Sequence, residues 1–147
     1  MKRLHVHLGV ADVGAAIPFY TSLFAAAPSV VKPDYAKWML DDPRVNFAIS
    51  SRAAPGLDHL GIQAESGEEL AELGARLKGA DRPVLEQGEA ACCYARSSKS
   101  WIADPAGIAW EAFHTTGEIT SYGDDRVIGP QLRQALPQAA QACCPAE

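Results

Sequence analysis

Three polar residues stand inside apolar strand patterns, far apart in the chain. His5 lies in Leu4-His5-Val6-His7-Leu8-Gly9-Val10, His59 in Asp58-His59-Leu60-Gly61-Ile62-Gln63-Ala64, and Glu111 in Ala109-Trp110-Glu111-Ala112-Phe113. Successive spacings are 54 and 52 residues. Strand alternation puts each on the face opposite its apolar neighbours. Three such side chains on the inner face of a curved sheet can meet at one ion. Two imidazoles and a carboxylate suit a borderline divalent metal. Three protein donors leave an octahedral ion three open positions, the arrangement of non-haem Fe(II) sites that bind O2 and substrate together. The plainer alternative is a pair of hydrogen-bonded structural histidines and a glutamate facing water, and spacing alone does not separate the two. His7 faces the same way as His5, so it is a ligand, a partner to one, or an exposed residue.

The second chemical feature is four cysteines in two adjacent pairs, Cys92-Cys93 and Cys143-Cys144. Adjacent Cα atoms are about 3.8 Å apart across a trans peptide, below the usual disulfide range of about 4.4–6.8 Å. Nor is this the C-x-x-C spacing of zinc ribbons and redox motifs. In a strand the two thiols would point to opposite faces; in a loop both can face one ligand, and a thiolate pair suits a soft ion or metalloid. The alternative is a pair of small buried hydrophobes. Arg96 or Lys99 can lower a nearby thiol pKa; otherwise Tyr20, Arg96 and Lys99 read as solvated surface.

The elements that must position these residues come in two rounds. Leu4 to Val10 reads as a strand. Asp12 is an N-cap for a helix over Gly14 to Phe24, with Pro18 near its start. Lys37–Leu40 and Val45–Ile49 read as strands around an Asp41-Asp42-Pro43-Arg44 turn, and Ser50 to Gly56 as a linker. The pattern then restarts: a strand at Asp58 to Ala64, a helix over Glu69 to Lys78 capped by Ser66 with Glu69 three residues on, a short strand at Val84–Glu86, a loop over Gly88 to Tyr94 holding Cys92 and Cys93, and a hairpin of Lys99–Ala103 and Ala109–Phe113. Each half reads β-α-β-β-β, an internal repeat. The fold class expected is α+β: two tandem βαβββ modules forming a curved mixed sheet around a metal site. Residues 1–115 make one domain, with module one about 1–54 and module two about 55–115. Residues 116–147 read as a mobile tail carrying Cys143-Cys144.

Composition narrows the class. The chain has 147 residues, a formal charge of −5 and 48 % hydrophobic residues. That excludes wholesale disorder and makes nucleic acid or an anionic membrane surface poor partners. No apolar run approaches the roughly 18 residues of a membrane span. The N-terminus enters a strand pattern at once, so no signal peptide is expected and the compartment expected is the cytoplasm.

The two modules with these ligand positions resemble the vicinal oxygen chelate superfamily, also called glyoxalase/bleomycin-resistance/dioxygenase. His5-Val6-His7-Leu8-Gly9-Val10 through Phe19-Tyr20-Thr21-Ser22-Leu23-Phe24 is similar to its opening strand and helix. Cys92-Cys93-Tyr94-Ala95, leading to Trp101-Ile102-Ala103-Asp104-Pro105-Ala106-Gly107-Ile108-Ala109-Trp110-Glu111-Ala112-Phe113, resembles its arsenic-inducible C–As lyase branch, which is grouped with cadmium-induced proteins. Gly9, Ala11 and Ala106 depart from the usual pattern, and His7 stands where a small residue is usual. The resemblance implies His5, His59 and Glu111 as Fe(II) ligands and Cys92 and Cys93 as the thiol pair that captures a trivalent organoarsenical. It implies an Fe(II)- and O2-dependent dioxygenase that breaks the C–As bond and releases inorganic As(III), acting as a monomer or homodimer. Glyoxalase I uses a fourth protein ligand; the matching position here falls near Asn46-Phe47, with no carboxylate. Two other readings use the same scaffold: a non-catalytic protein sequestering As(III), Cd(II) or a drug, and a thiol-linked enzyme such as a fosfomycin-modifying transferase.

Overall fold

A computed structural model describes residues 1–92 and 94–118. The first round is β1 (Arg3–Gly9), α1 (Val13–Phe24), β2 (Val30–Lys32), β3 (Tyr35–Asp41) and β4 (Arg44–Ser50); the second is β5 (Gly56–Ala64), α2 (Gly67–Lys78), β6 (Leu85–Cys92), β7 (Ala95–Ala103) and β8 (Ala109–Glu118). All eight strands join one mixed sheet in the order β2-β3-β4-β1-β5-β8-β7-β6. The order is symmetric about its middle. β1 and β5 pair antiparallel at the centre, and each pairs parallel with the last strand of its own round, β4 or β8.

Local chemistry explains the helix starts. The Asp12 side chain accepts from Ala15 N at 3.0 Å, and the Ser66 hydroxyl accepts from Glu69 N at 3.2 Å, each satisfying an N–H that the first turn leaves unpaired. Glu69 turns back, but to Glu65 N at 2.9 Å rather than to the Ser66 amide. Helix α1 buries Val13, Ile17, Tyr20 and Phe24 against Trp38, Phe47 and Ile49. The apolar stripe of α2, Leu70, Leu73 and Leu77, covers Ile62, Ala64 and Ala112. Tyr20 is thus packed core rather than solvated surface, while Phe19 and Leu23 on the far side of α1 stay exposed.

The other face of the sheet is unusual in being polar and yet buried. His5, His7, Asn46, His59, Ser97, Lys99 and Glu111 are each less than 9 % exposed. Curvature closes this face on itself, so the polar side of β1 is more deeply buried than its apolar side, where Leu4 is 46 % exposed.

One expected loop is a strand. Residues Gly88 to Cys92 continue β6, pairing with β7 as far as Cys92 opposite Ala95. The segment Glu86-Gln87-Gly88-Glu89-Ala90-Ala91 is poor in β-branched and aromatic residues, so its strand state comes from the ladder with β7 rather than from propensity. The register shifts between Gln87 and Glu89, which leaves Gly88 unpaired, the usual place for glycine in a bulge. The expected linker is also shorter, since β4 reaches Ser50 and β5 begins at Gly56. The proposed tail with Cys143-Cys144 lies outside the described residues, β8 continuing to Glu118.

Candidate metal centre

The sheet register brings the distant residues together. His5 on β1 lies opposite Gly61 on β5, and Gly61 lies beside Glu111 on β8. A methyl group at Gly61 would sit 2.6 Å from Glu111 Cγ, so the bare backbone there gives the glutamate room to lean toward β1. Two residues further along β1, His7 lies opposite His59. His5 Nε2 is 3.3 Å from His59 Nε2 and 3.4 Å from Glu111 Oε1; His59 Nε2 is 3.5 Å from the same oxygen. Donors about 2.1 Å from one divalent ion stand about 3.0–3.5 Å apart when they share one side of it, so this triangle fits an ion without rearrangement. One ring nitrogen from each of His5, His7 and His59 also lies within 4.8 Å of the others.

Each donor is oriented from behind. His5 Nδ1 is 2.9 Å from the Asn46 carbonyl, so it carries the proton and turns Nε2 inward as an acceptor. His59 Nδ1 is 2.7 Å from Asp58 Oδ2. Neighbours in a regular strand point apart, but the register skips Asp58, passing from His7 opposite His59 to Leu8 opposite Leu57. This bulge lets Asp58 reach its neighbour's ring. Lys99 Nζ lies 3.4 Å from Glu111 Oε2, which leaves Oε1 as the oxygen facing the histidines. Trp101 packs on His59 and Phe113 on His5, with ring centroids 5.2 and 5.3 Å apart.

The electrostatics follow. Burial lowers the His5 pKa to about 3, against a smaller opposing pull from Glu111. Burial also disfavours a charged His59, but its bonds to Asp58 and Glu111 outweigh that and raise it to about 9. Burial pushes the Glu111 carboxyl up, yet Lys99 and then His59 hold it well below the usual carboxylate range. Without an ion, then, Glu111 is an anion beside one protonated and one neutral imidazole.

Residues 2–112 match the model of the Glyoxalase/Bleomycin resistance protein/Dioxygenase superfamily. The chain belongs to this superfamily. Among its relatives is a protein of Bacillus sp. (strain MD1) named trivalent organoarsenical cleaving enzyme, 43 % identical over 78 % of this chain and 74 % of that one. Another is the cadmium-induced protein CadI of Mycobacterium tuberculosis, 31 % identical over 98 % of this chain and 93 % of that one. An extradiol ring-cleaving dioxygenase from B. fuscum shares the fold, with a TM-score of 0.57 and 14 % identity over 80 % of this chain and 33 % of the other.

Within this superfamily chain the site gains residues that the sequence pattern did not assign. Lys99, expected at the solvated surface, is 7 % exposed and beside Glu111. Ser97, Lys99 and Trp101 alternate on one face of β7, and all three are buried. Arg96 is exposed as expected. Cys93 lies outside the described residues, and of Cys92 the structure describes the backbone, at the end of β6. The turn that follows is anchored to module one, because the Tyr94 hydroxyl donates to Asp34 Oδ1 at 2.6 Å and Arg52 pairs with the same carboxylate.

Proposed function

We propose that the chain is a non-haem Fe(II)-dependent dioxygenase that cleaves the C–As bond of trivalent organoarsenicals, such as methylarsenite or aromatic arsenicals, to inorganic As(III). The observation that carries the reading is the buried triangle of His5 Nε2, His59 Nε2 and Glu111 Oε1, with sides of 3.3–3.5 Å. Relatives named as trivalent organoarsenical cleaving enzymes, 34–43 % identical to this chain, support the choice of arsenic as the substrate element.

A monosubstituted trivalent arsenical carries two exchangeable hydroxyls. Cys92 and Cys93, as the proposed capture pair, replace both, releasing two waters and leaving the C–As bond intact. Soft sulfur donors suit this step. His5, His59 and Glu111 are the proposed ion ligands. Fe(II) held there supplies the one-electron chemistry that couples O2 to C–As cleavage. Asn46 and Asp58 fix the two rings, Lys99 fixes the carboxylate, and Trp101 and Phe113 keep water from the donors. Capture on the protein that also holds the ion replaces a bimolecular encounter with an intramolecular one. Domain 1–115 is the proposed working unit, in the cytoplasm, as a monomer or homodimer. Among the described residues no helix is long and apolar enough to cross a membrane.

The test is anaerobic Fe(II) reconstitution, addition of methylarsenite, exposure to air and speciation of the arsenic. Inorganic As(III) is expected in wild type and in a Cys143→Ala/Cys144→Ala variant, while Cys92→Ala and Cys93→Ala bind the arsenical weakly. Tight binding with no demethylation overturns the enzyme reading in favour of sequestration, which has no use for a buried His-His-Glu set.

A further inference from the structure

The triangle described above leaves one buried histidine of the same cluster without a task. His7 is 2 % exposed, among the most deeply buried side chains described. Its Nε2 has no hydrogen-bond partner, although His5 and His59 each have one for the ring nitrogen turned away from the site. Buried polar atoms are rarely left unpaired, and one that is calls for a missing partner. His7 does not sit apart from the cluster. It shares a face of β1 with His5 and lies directly opposite His59 in the ladder. Its ring centroid is 4.7 Å from that of His59 and 6.1 Å from that of His5. On its other side the ring meets the edge of Tyr35, centroids 6.2 Å apart.

We propose that His7 is a fourth protein ligand of the ion, binding through Nε2 alongside His5, His59 and Glu111. This rests on the ion site proposed above and deepens it. One ring nitrogen from each of the three histidines lies within 4.8 Å of the others, and the unpaired His7 Nε2 is buried in the same cluster. Three imidazoles and one carboxylate favour a borderline ion over Mg(II) or Ca(II), which prefer all-oxygen sets. Six-coordination then leaves two open positions rather than three.

The experiment uses the full chain, stripped of metal and loaded with Zn(II) as a diamagnetic probe. Long-range proton–nitrogen NMR follows every histidine ring in the wild-type protein. The Nε2 signals of His5, His7 and His59 are expected to move together to the metal-bound position at one equivalent. A chelator competition should show the His7→Ala variant binding Zn(II) about 10- to 100-fold more weakly, and the wild-type spectrum stands whether or not that variant folds. Zn(II) binding that moves His5 and His59 but leaves His7 unchanged overturns the proposal while sparing the three-ligand site. No shift in any ring overturns both. Three shifted rings in a protein that fails to cleave methylarsenite uphold His7 and overturn only the substrate reading.

Discussion

Gly61 and Glu111 sit side by side in the parallel β5–β8 pair, so close that a Cβ on Gly61 would stand 2.6 Å from Glu111 Cγ and 2.8 Å from its carbonyl oxygen. The oxygen belongs to the backbone and cannot step aside. The Gly61→Ala variant is therefore expected to push Glu111 out of the triangle, costing about 1–3 kcal/mol by overpacking. A melting curve reads the loss of stability, and a Zn(II) titration reads the loss of affinity. Unchanged values for both would mean that the pair tolerates the extra methyl.

Removing the carboxylate separates capture from chemistry. The Glu111→Ala variant should lose turnover and bind Fe(II) more than about 100-fold more weakly, while retaining the arsenical on its thiols. Equilibrium dialysis with methylarsenite, followed by arsenic analysis of the retained protein, checks the second half. Loss of arsenical binding would tie the glutamate to substrate rather than to the ion.

Asp58 acts through His59, as a positioning residue. In the ion-free protein His59 holds its proton up to about 9, so an incoming ion displaces that proton and binding strengthens as pH rises from 7 toward 9. In Asp58→Asn the ring loses its anionic partner and its pKa falls. Two effects then oppose each other near pH 7, weaker proton competition against poorer ring orientation. Above about pH 9.5 only orientation remains, and there the variant should bind Zn(II) about 10- to 100-fold more weakly than wild type. Equal affinities at that pH would remove Asp58 from the site.

Asp104 ties the β7–β8 hairpin that carries Glu111. Its Oδ1 accepts from Ala106 N and Ile108 N, and its Oδ2 from Trp110 Nε1. Burial pushes this carboxyl up, but those bonds together hold it below its ordinary value of 3.8. A depressed carboxylate stabilises the fold above the unfolded value, so the contribution is complete above about pH 4 and is lost as pH falls through the lower folded value. Asp104→Ala should destabilise by about 1–3 kcal/mol at pH 7, with the difference from wild type shrinking in acid. Urea midpoints at pH 7 and pH 2.5 give the comparison.

Much of this was legible in the chain. Period-two alternation marked His5, His59 and Glu111 as polar residues on otherwise apolar strands, and their convergence needed only the order in which two repeated modules place their strands. Lys99 and Asp58 were not legible, for different reasons. A strand lysine is ordinarily solvated, and here burial depends on the curvature of the sheet and on the charge of Glu111. Asp58 precedes His59 and by strict alternation points the other way; only the bulge at that step reverses it. The strand state of residues 88–92 was hidden because it depends on a ladder with β7 and not on the residues themselves.

The central pairing of β1 with β5 has a consequence for how the protein matures. His5 and His7 come from the first module, His59 and Glu111 from the second. Neither half holds more than two of the four proposed ligands, so an ion at that site would require both halves to have docked. Once bound it links the two across their shared seam, drawing its affinity from the same contacts that complete the fold. At such a site, metal loading and the joining of the two halves would be one event.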